Sequence, residues 1–224
     1  MVIWPRTITF RDGLGLTSLR DLDHKIPSGE SPVYHDQETP EVCHAVLQDP
    51  DFFLFLLRID EEFAAETRRA RCHHCGGALH SARYPRKPRG CPPAVLEEYS
   101  WRFSFTCALC DQRATPASVR FFGRRVYLAV VLMLASPPGG TTAQQLAGLL
   151  SIPVRTLDRW RAWWRCDFPR TPFWQSMRER FTTPIPGERL PQSLLERFEA
   201  DTPTQRLALL LRFLAPLSTR AAST

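Results

Sequence analysis

The sequence predicts an α+β chain, mainly helical, with one small antiparallel element held by four cysteines and a helix-turn-helix further along. Three observations lead there. Two CxxC pairs, Cys72/Cys75 and Cys107/Cys110, stand beside short stretches with strand-like alternation. A basic block fills and follows the same region, and Thr142–Arg165 carries the apolar spacing of two crossed helices.

The cysteines carry the most specific signal. Four thiolates in two knuckles match the ligand set of a closed tetrahedral zinc site, and because they fill every coordination position, the ion predicted at Cys72, Cys75, Cys107 and Cys110 is structural rather than catalytic. Gly76 and Gly77 follow Cys75, supplying the positive φ that a thiolate-cradling turn needs, and the turn-prone Asp111 follows Cys110. Ala78–Tyr84, Trp101–Thr106 and Ala117–Phe122 read as short strands, which completes a zinc-ribbon layout with a long insertion between the pairs. Two redox dithiols or buried free thiols are the alternative. His73 and His74 read as solvated surface, and Cys43, Cys91 and Cys166 as small apolar residues.

Length and composition set the outer bounds. A chain of 224 residues holds one or two small domains, and its punctuation suggests four segments: a poorly ordered N-terminal stretch 1–50, a helix plus ribbon at 51–123, a helix-turn-helix domain at 124–181 and C-terminal helices at 182–224. The most apolar run, Val126–Ala135, is too short for a bilayer span, which needs about 20 residues. No signal peptide is apparent, and seven cysteines with two CxxC pairs fit a reducing compartment, so the cytoplasm is expected.

Charge is segregated along the chain. Residues 1–66 carry thirteen acids and five bases, residues 67–181 carry six acids and nineteen bases, and the remainder is nearly balanced. No acid occurs from Thr67 through Leu96, whereas Arg68, Arg69, Arg71, Arg83, Arg86, Lys87 and Arg89 all do. Such a block repels itself unless a polyanion meets it, and nucleic-acid phosphate is the commonest such partner. Arg83, Arg86, Lys87 and Arg89 are therefore candidate phosphate contacts.

In the helix-turn-helix pattern, Thr141 or Thr142 caps a first helix through Ala143–Leu150, Ser151-Ile152 makes the turn, and Pro153 opens the helix carrying Val154–Trp164. Leu146, Leu150, Ile152, Leu157 and Trp160 would bury each other, with Ala147 at the closest approach. Arg155, Thr156 and Arg159 would then face outward, where a major groove is read. A helical hairpin without a DNA role is the bland alternative, and Trp160, Trp163 and Trp164 read as core.

Taken in order, CHHCGG, CALC and AQQLAGLLSIPVRTLDRW resemble the zinc-ribbon plus helix-turn-helix DNA-binding proteins carried by bacterial insertion sequences, including their small regulatory or accessory reading frames and transposase N-terminal regions. The resemblance covers about Arg71–Arg165. It implies that Cys72, Cys75, Cys107 and Cys110 bind zinc and that the second helix reads double-stranded DNA. A separately encoded transposase and a second copy of the chain are the further partners it allows.

Catalysis is not expected. Transposase chemistry needs three carboxylates gathered from a large core around two metal ions, and the acids after Arg165 are few, with Glu196, Glu199 and Asp201 in or beside an amphipathic stretch Gln192–Ala200. No phosphate loop, nucleophile elbow or His-Glu-x-x-His motif is present. Asp51–Ala70 reads as an amphipathic helix with Phe52, Phe53, Leu56, Ile59 and Phe63 on its apolar side. The last helix, about Pro203–Leu214, offers Leu207, Leu210, Leu211 and Leu214 to the core or to a second copy. The expected function is sequence-specific DNA binding for a mobile element, as regulator or accessory factor. An RNA-binding or ribosome-associated zinc ribbon and a protein-interaction scaffold are the alternatives.

Overall fold

The computed structural model describes residues 48–88, 90–121 and 152–219, together with Val46, Gln144, Ala147 and Gly148. The segment 1–40, the apolar run 126–135, Cys43, Arg89 and most of the first helix of the expected pair lie outside these residues. Within them the chain is α+β, as the sequence predicts.

Asp49 and Pro50 start the longest helix, α1 (Pro50–Ala70). The Asp49 carboxylate accepts the N–H of Asp51 at 2.9 Å, and Pro50 occupies a position whose N–H would have no partner. Phe52, Phe53, Leu56, Ile59, Asp60 and Ala64 make the buried face, at the three- and four-residue spacing of one helix side. Arg68 and Arg69 favour the C-terminal end of the dipole. The helix stops at Arg71, whose φ of 63° and ψ of −172° turn the chain into the first cysteine pair; a side chain in that region costs roughly 1–3 kcal/mol.

Five short strands follow: β1 (Leu79–Ser81), β2 (Tyr84–Pro85), β3 (Trp101–Arg102), β4 (Phe105–Cys107) and β5 (Arg113–Ala114). They form two antiparallel sheets, one in the order β1-β4-β5 and one pairing β2 with β3. Leu79 lies opposite Cys107 and Phe105 opposite Ala114, while Tyr84 faces Arg102 and Pro85 faces Trp101. The insertion between the cysteine pairs is long because it holds the second sheet, a 3-10 turn at Pro93–Val95 and the short helix α2 (Leu96–Tyr99). Tyr99 ties that insertion to α1, its hydroxyl donating to the Phe53 carbonyl at 2.9 Å.

The C-terminal part is helical. Helix α3 (Val154–Ala162) widens into a π turn at Trp163–Asp167 and tightens to 3-10 at Phe168–Arg170; α4 (Pro172–Met177), α5 (Gln192–Leu195) and α6 (Pro203–Leu214) follow. Thr171 and Thr202 cap α4 and α6, each hydroxyl accepting an N–H at 3.2 Å. Leu207, Leu210, Leu211 and Leu214 are all buried in the chain's own core, so α6 spends its apolar face internally. The helix expected over Gln192–Ala200 is one turn only, and the chain after it reverses with Glu196 and Glu199 exposed.

The main apolar cluster joins α1 to the C-terminal helices, running from Phe52 and Phe53 through Tyr99 and Phe121 to Trp164, Phe168, Trp174 and Leu214, and so crosses the segment boundaries suggested at 123 and 181. A chain of rings stiffens it: Trp163–Trp164, Trp164–Phe168 and Phe168–Trp174 centroids lie 4.9, 4.6 and 4.9 Å apart. A second, smaller cluster consists of Ala64, Cys72, Leu79, Phe105 and Cys107.

Between the two lies a buried ionic knot that the sequence did not announce. The Asp60 carboxylate accepts from Ser118 Oγ, the Val119 N–H and Arg120 Nε at 2.6, 2.7 and 2.8 Å, and both charged residues are essentially inaccessible. Arg120 also donates to the Glu98 carbonyl at 2.9 Å and lies against the rings of Tyr99 and Phe121. Arg102, also buried, donates to the carbonyls of Pro116 and Ser218, fastening β3 to the 3-10 turn that follows α6. Burial pulls the Arg102 guanidinium down to about 10.

The knot explains a correction. The stretch Ala117–Phe122 reads as a strand, yet Ala117–Phe121 is irregular. Its N–H groups are taken by side chains, Val119 by Asp60 and both Arg120 and Phe121 by Ser118 Oγ, so no ladder is needed to satisfy them.

Candidate metal centre

The two knuckles are built to one plan. In the first, the Gly76 N–H donates to the Cys72 carbonyl at 2.7 Å and the Cys72 N–H to the Gly77 carbonyl at 3.0 Å; in the second, the Asp111 N–H donates to the Cys107 carbonyl at 3.2 Å and the Cys107 N–H to the Gln112 carbonyl at 2.9 Å. The residue after the second cysteine of each pair takes positive φ, 70° at Gly76 and 54° at Asp111. Asp tolerates this because its short side chain is among the few that favour the left-handed region. The Ala108 N–H donates to the Ala78 carbonyl at 2.9 Å, which locks one knuckle beside the other.

The four sulfurs converge. Cys72 and Cys110 Sγ are 3.6 Å apart, while Cys75 lies 3.4 Å from both Cys107 and Cys110. All four fall within 4.8 Å of one another, an arrangement that can hold a metal ion. A tetrahedron with metal–sulfur bonds of about 2.3 Å has edges of roughly 3.8 Å, so the spacing fits thiolates around one ion and is far too long for disulfide bonds. The residues the sequence singled out as ligands are therefore brought together.

Amides prepare the sulfurs for that role. The N–H groups of Leu109 and Cys110 point at Cys107 and, with the neighbouring thiols of Cys75 and Cys110, hold it down to about 6 against burial. Cys110 is pushed up to about 12: the Gln112 N–H favours its thiolate, but the Cys75 thiol, burial and the Cys107 and Cys72 thiols outweigh it. Cys75 is raised as well: the Gly77 amide and the Cys110 thiol favour its thiolate, but the Cys107 thiol, burial and the Cys72 thiol outweigh them. Four thiols this close favour sharing protons, or a cation in their place.

Gly77 is fixed by space. A Cβ there would stand 2.8 Å from Cys107 Sγ and 3.0 Å from Leu109 Cγ, whereas at Gly76 it would meet nothing within 4 Å.

Basic side chains rim the lobe. Arg68, Arg69, Arg71, Arg83, Lys87 and Arg113 are exposed, Arg86 is half-buried, and His73 and His74 are exposed, their rings tilted to each other with centroids 3.9 Å apart. In α3, Arg155 and Arg159 are exposed with Asp158 beside them, while Leu157, Trp160 and Thr156 are buried. Thr156 corrects the outward set. Ile152, Leu157, Trp160 and half-buried Ala147 all belong to or pack against the main cluster, so neighbours cover a stripe of α3 wide enough to include position 156. The Ile152 N–H donates to the Ala147 carbonyl at 2.9 Å, joining the turn before α3 to the helical residues ahead of it. Cys91 is half-buried against the main cluster, where burial raises its thiol; Cys166 is exposed.

Sequence reasoning missed Asp60, Arg102 and Arg120 as structural residues, and Tyr84 and Arg113 as part of the basic rim. No helix among the described residues is long and apolar enough to cross a membrane. No family model, curated protein or solved structure matches the chain.

Proposed function

We propose that this chain is a DNA-binding protein with one structural zinc ion, acting without catalysis as a regulator or accessory factor of a mobile element in the cytoplasm. Cys72, Cys75, Cys107 and Cys110 would hold the ion, and the four-thiolate donor set suits zinc in a closed site. Bound there, the ion would supply a crosslink between the two knuckles beside the β1-β4-β5 sheet, and the protein's own residues would do the recognising.

The observation that carries the reading is the exposure of Arg155 and Arg159 on a helix whose opposite side, Leu157 and Trp160, is buried. Two guanidinium groups one turn apart on a docked helix suit guanine edges in a major groove, and the basic rim of the cysteine lobe suits phosphate. With Thr156 buried, specificity falls on those two arginines. The resemblance to insertion-sequence proteins supplies the mobile-element setting and a separately encoded transposase as partner.

Selection of the zinc-loaded full chain against random duplexes tests this. Wild type should enrich one motif, and Arg155→Ala or Arg159→Ala should relax one base position and cost about 1–3 kcal/mol in binding while leaving the fold intact. Enrichment of no motif, or tighter binding to structured RNA than to duplex DNA of equal length, overturns it.

A further inference from the structure

The basic rim contains two aromatic rings that belong to neither buried cluster, exposed Tyr84 and half-buried Trp101, the second also edge-on to Phe103 at 4.9 Å. On the β2–β3 sheet, Arg83 lies 4.2 Å over the ring of Trp101, and Arg86 lies 4.4 Å from the centroid of Tyr84. Arg113, from β5 of the other sheet, approaches the same Tyr84 ring at 5.5 Å. Tyr84 is 37% exposed, and its strand pairs with β3 alone. Among the described residues no carboxylate forms an ion pair with Arg83 or Arg113.

A guanidinium laid on a ring keeps its N–H fork in plane and pointing away from the ring. It has already lost much of its rotamer freedom, so gripping two phosphate oxygens costs it less ordering than it costs a free side chain. Holding several such groups together raises the local positive potential, which a polyanion relieves. A surface selected only for solubility has no use for that arrangement.

We infer that Tyr84 and Trp101 are positioning residues of a phosphodiester-binding surface, on which Arg83, Arg86 and Arg113, with Lys87 beside them, grip the nucleic-acid backbone without reading its bases. The inference rests on the nucleic-acid reading above and extends it: the cysteine lobe would supply sequence-independent affinity, and α3 would supply choice.

The test uses the zinc-loaded full chain, a mixed-sequence DNA duplex and a single strand of equal length, with affinity measured across a range of salt. Arg113→Ala should flatten the log–log salt slope by about one unit. Tyr84→Leu removes no charge, so its slope should stay near the wild-type value while affinity for both probes falls about fivefold, the scale of losing two exposed cation–ring contacts. Tyr84→Phe should restore wild-type binding, because the ring and not the hydroxyl is the platform. Zinc content and circular dichroism check that Tyr84→Leu is folded, and if it is not, Arg113→Ala still decides.

Unchanged binding by Tyr84→Leu, or an unchanged slope for Arg113→Ala, overturns the inference. So does a Tyr84→Leu loss confined to the single strand, which would make the ring a base-stacking platform instead. Wild-type protein that binds neither probe defeats the nucleic-acid reading itself, a different failure from any of these.

Discussion

Among the described residues the main cluster buries Phe52, Phe53, Tyr99, Trp164, Phe168 and Leu210 almost completely, whereas the cluster beside the cysteines buries Ala64, Leu79, Phe105 and two of the thiol residues, with Phe103, Cys110 and Ala114 half-buried against them. Burying one large apolar side chain contributes about 1.5–3 kcal/mol, while ordering each residue's backbone costs roughly 1–2 kcal/mol. On those magnitudes Leu79 and Phe105 cannot hold the β1-β4-β5 sheet, and the aromatic region can hold its helices. One region has the area to stabilise itself, and the other would need the four thiols crosslinked by the proposed ion, so a single chain would contain two answers to the same entropy cost. The buried Asp60–Arg120 pair lies between them, its guanidinium near Tyr99 and Phe121 of the first region and near Phe103, which packs against the second.

Removing the metal should separate the regions most sharply. Structural zinc sites contribute about 10–16 kcal/mol, so chelation, or Cys107→Ser, should abolish hydrogen-exchange protection of β1 and β4. Protection in α6 and the fluorescence of the buried Trp164 should persist. Collapse of both together would show one cooperative unit and end the distinction.

The next effect in size belongs to the aromatic region. Asp60→Ala leaves Arg120 charged, buried and uncompensated, and should cost about 3–5 kcal/mol in urea unfolding. Replacing both residues with apolar ones of similar volume should recover most of that, and metal affinity should change little in either variant. A double variant as unstable as the single one would mean that the three bonds made by Asp60, and not the stranded charge, are what matter.

The smallest effects dissect the knuckles. Gly77→Ala forces a Cβ into Cys107 Sγ and should weaken metal retention by about 1–3 kcal/mol, read by competition with a colorimetric chelator. Gly76→Ala meets open space and should cost only the left-handed penalty of about 1 kcal/mol, and Gly76→Asn less, following the example of Asp111 in the other knuckle. If Gly76→Ala proves the worse of the two, conformation and not close approach governs the turn.

Legibility followed locality. The four cysteines, α1 and α6 were readable because their signals lie within a few residues: ligand spacing, a cap, an apolar stripe. Asp60 was not, since beside Glu61 and Glu62 it reads as one more solvated acid, and its partner Arg120 is 60 positions away. The strand expected at Ala117–Phe122 failed for the same reason, because the alternation was real but a distant carboxylate replaced the ladder. Thr156 shows a subtler limit: the periodicity of α3 gave the centre of the buried stripe at Leu157 and Trp160 but not its width, which depends on what packs beside it. Helix α1 and the last helix were legible as elements, yet nothing local indicated that they share a core.

Separation along the chain also sets an order of assembly. The sulfurs of Cys75 and Cys107 meet across 32 positions, Asp60 finds Arg120 across 60, Arg102 reaches Ser218 across 116, and Glu62 on α1 pairs with Arg212 on α6 across 150. Closing a longer loop costs more entropy, and a chain is synthesised from its N-terminus. All four thiols are therefore synthesised while α1 still lacks the helices it will pack against, so with the proposed ion bound there the first commitment of a nascent chain would depend on metal supply and the last on hydrophobic collapse.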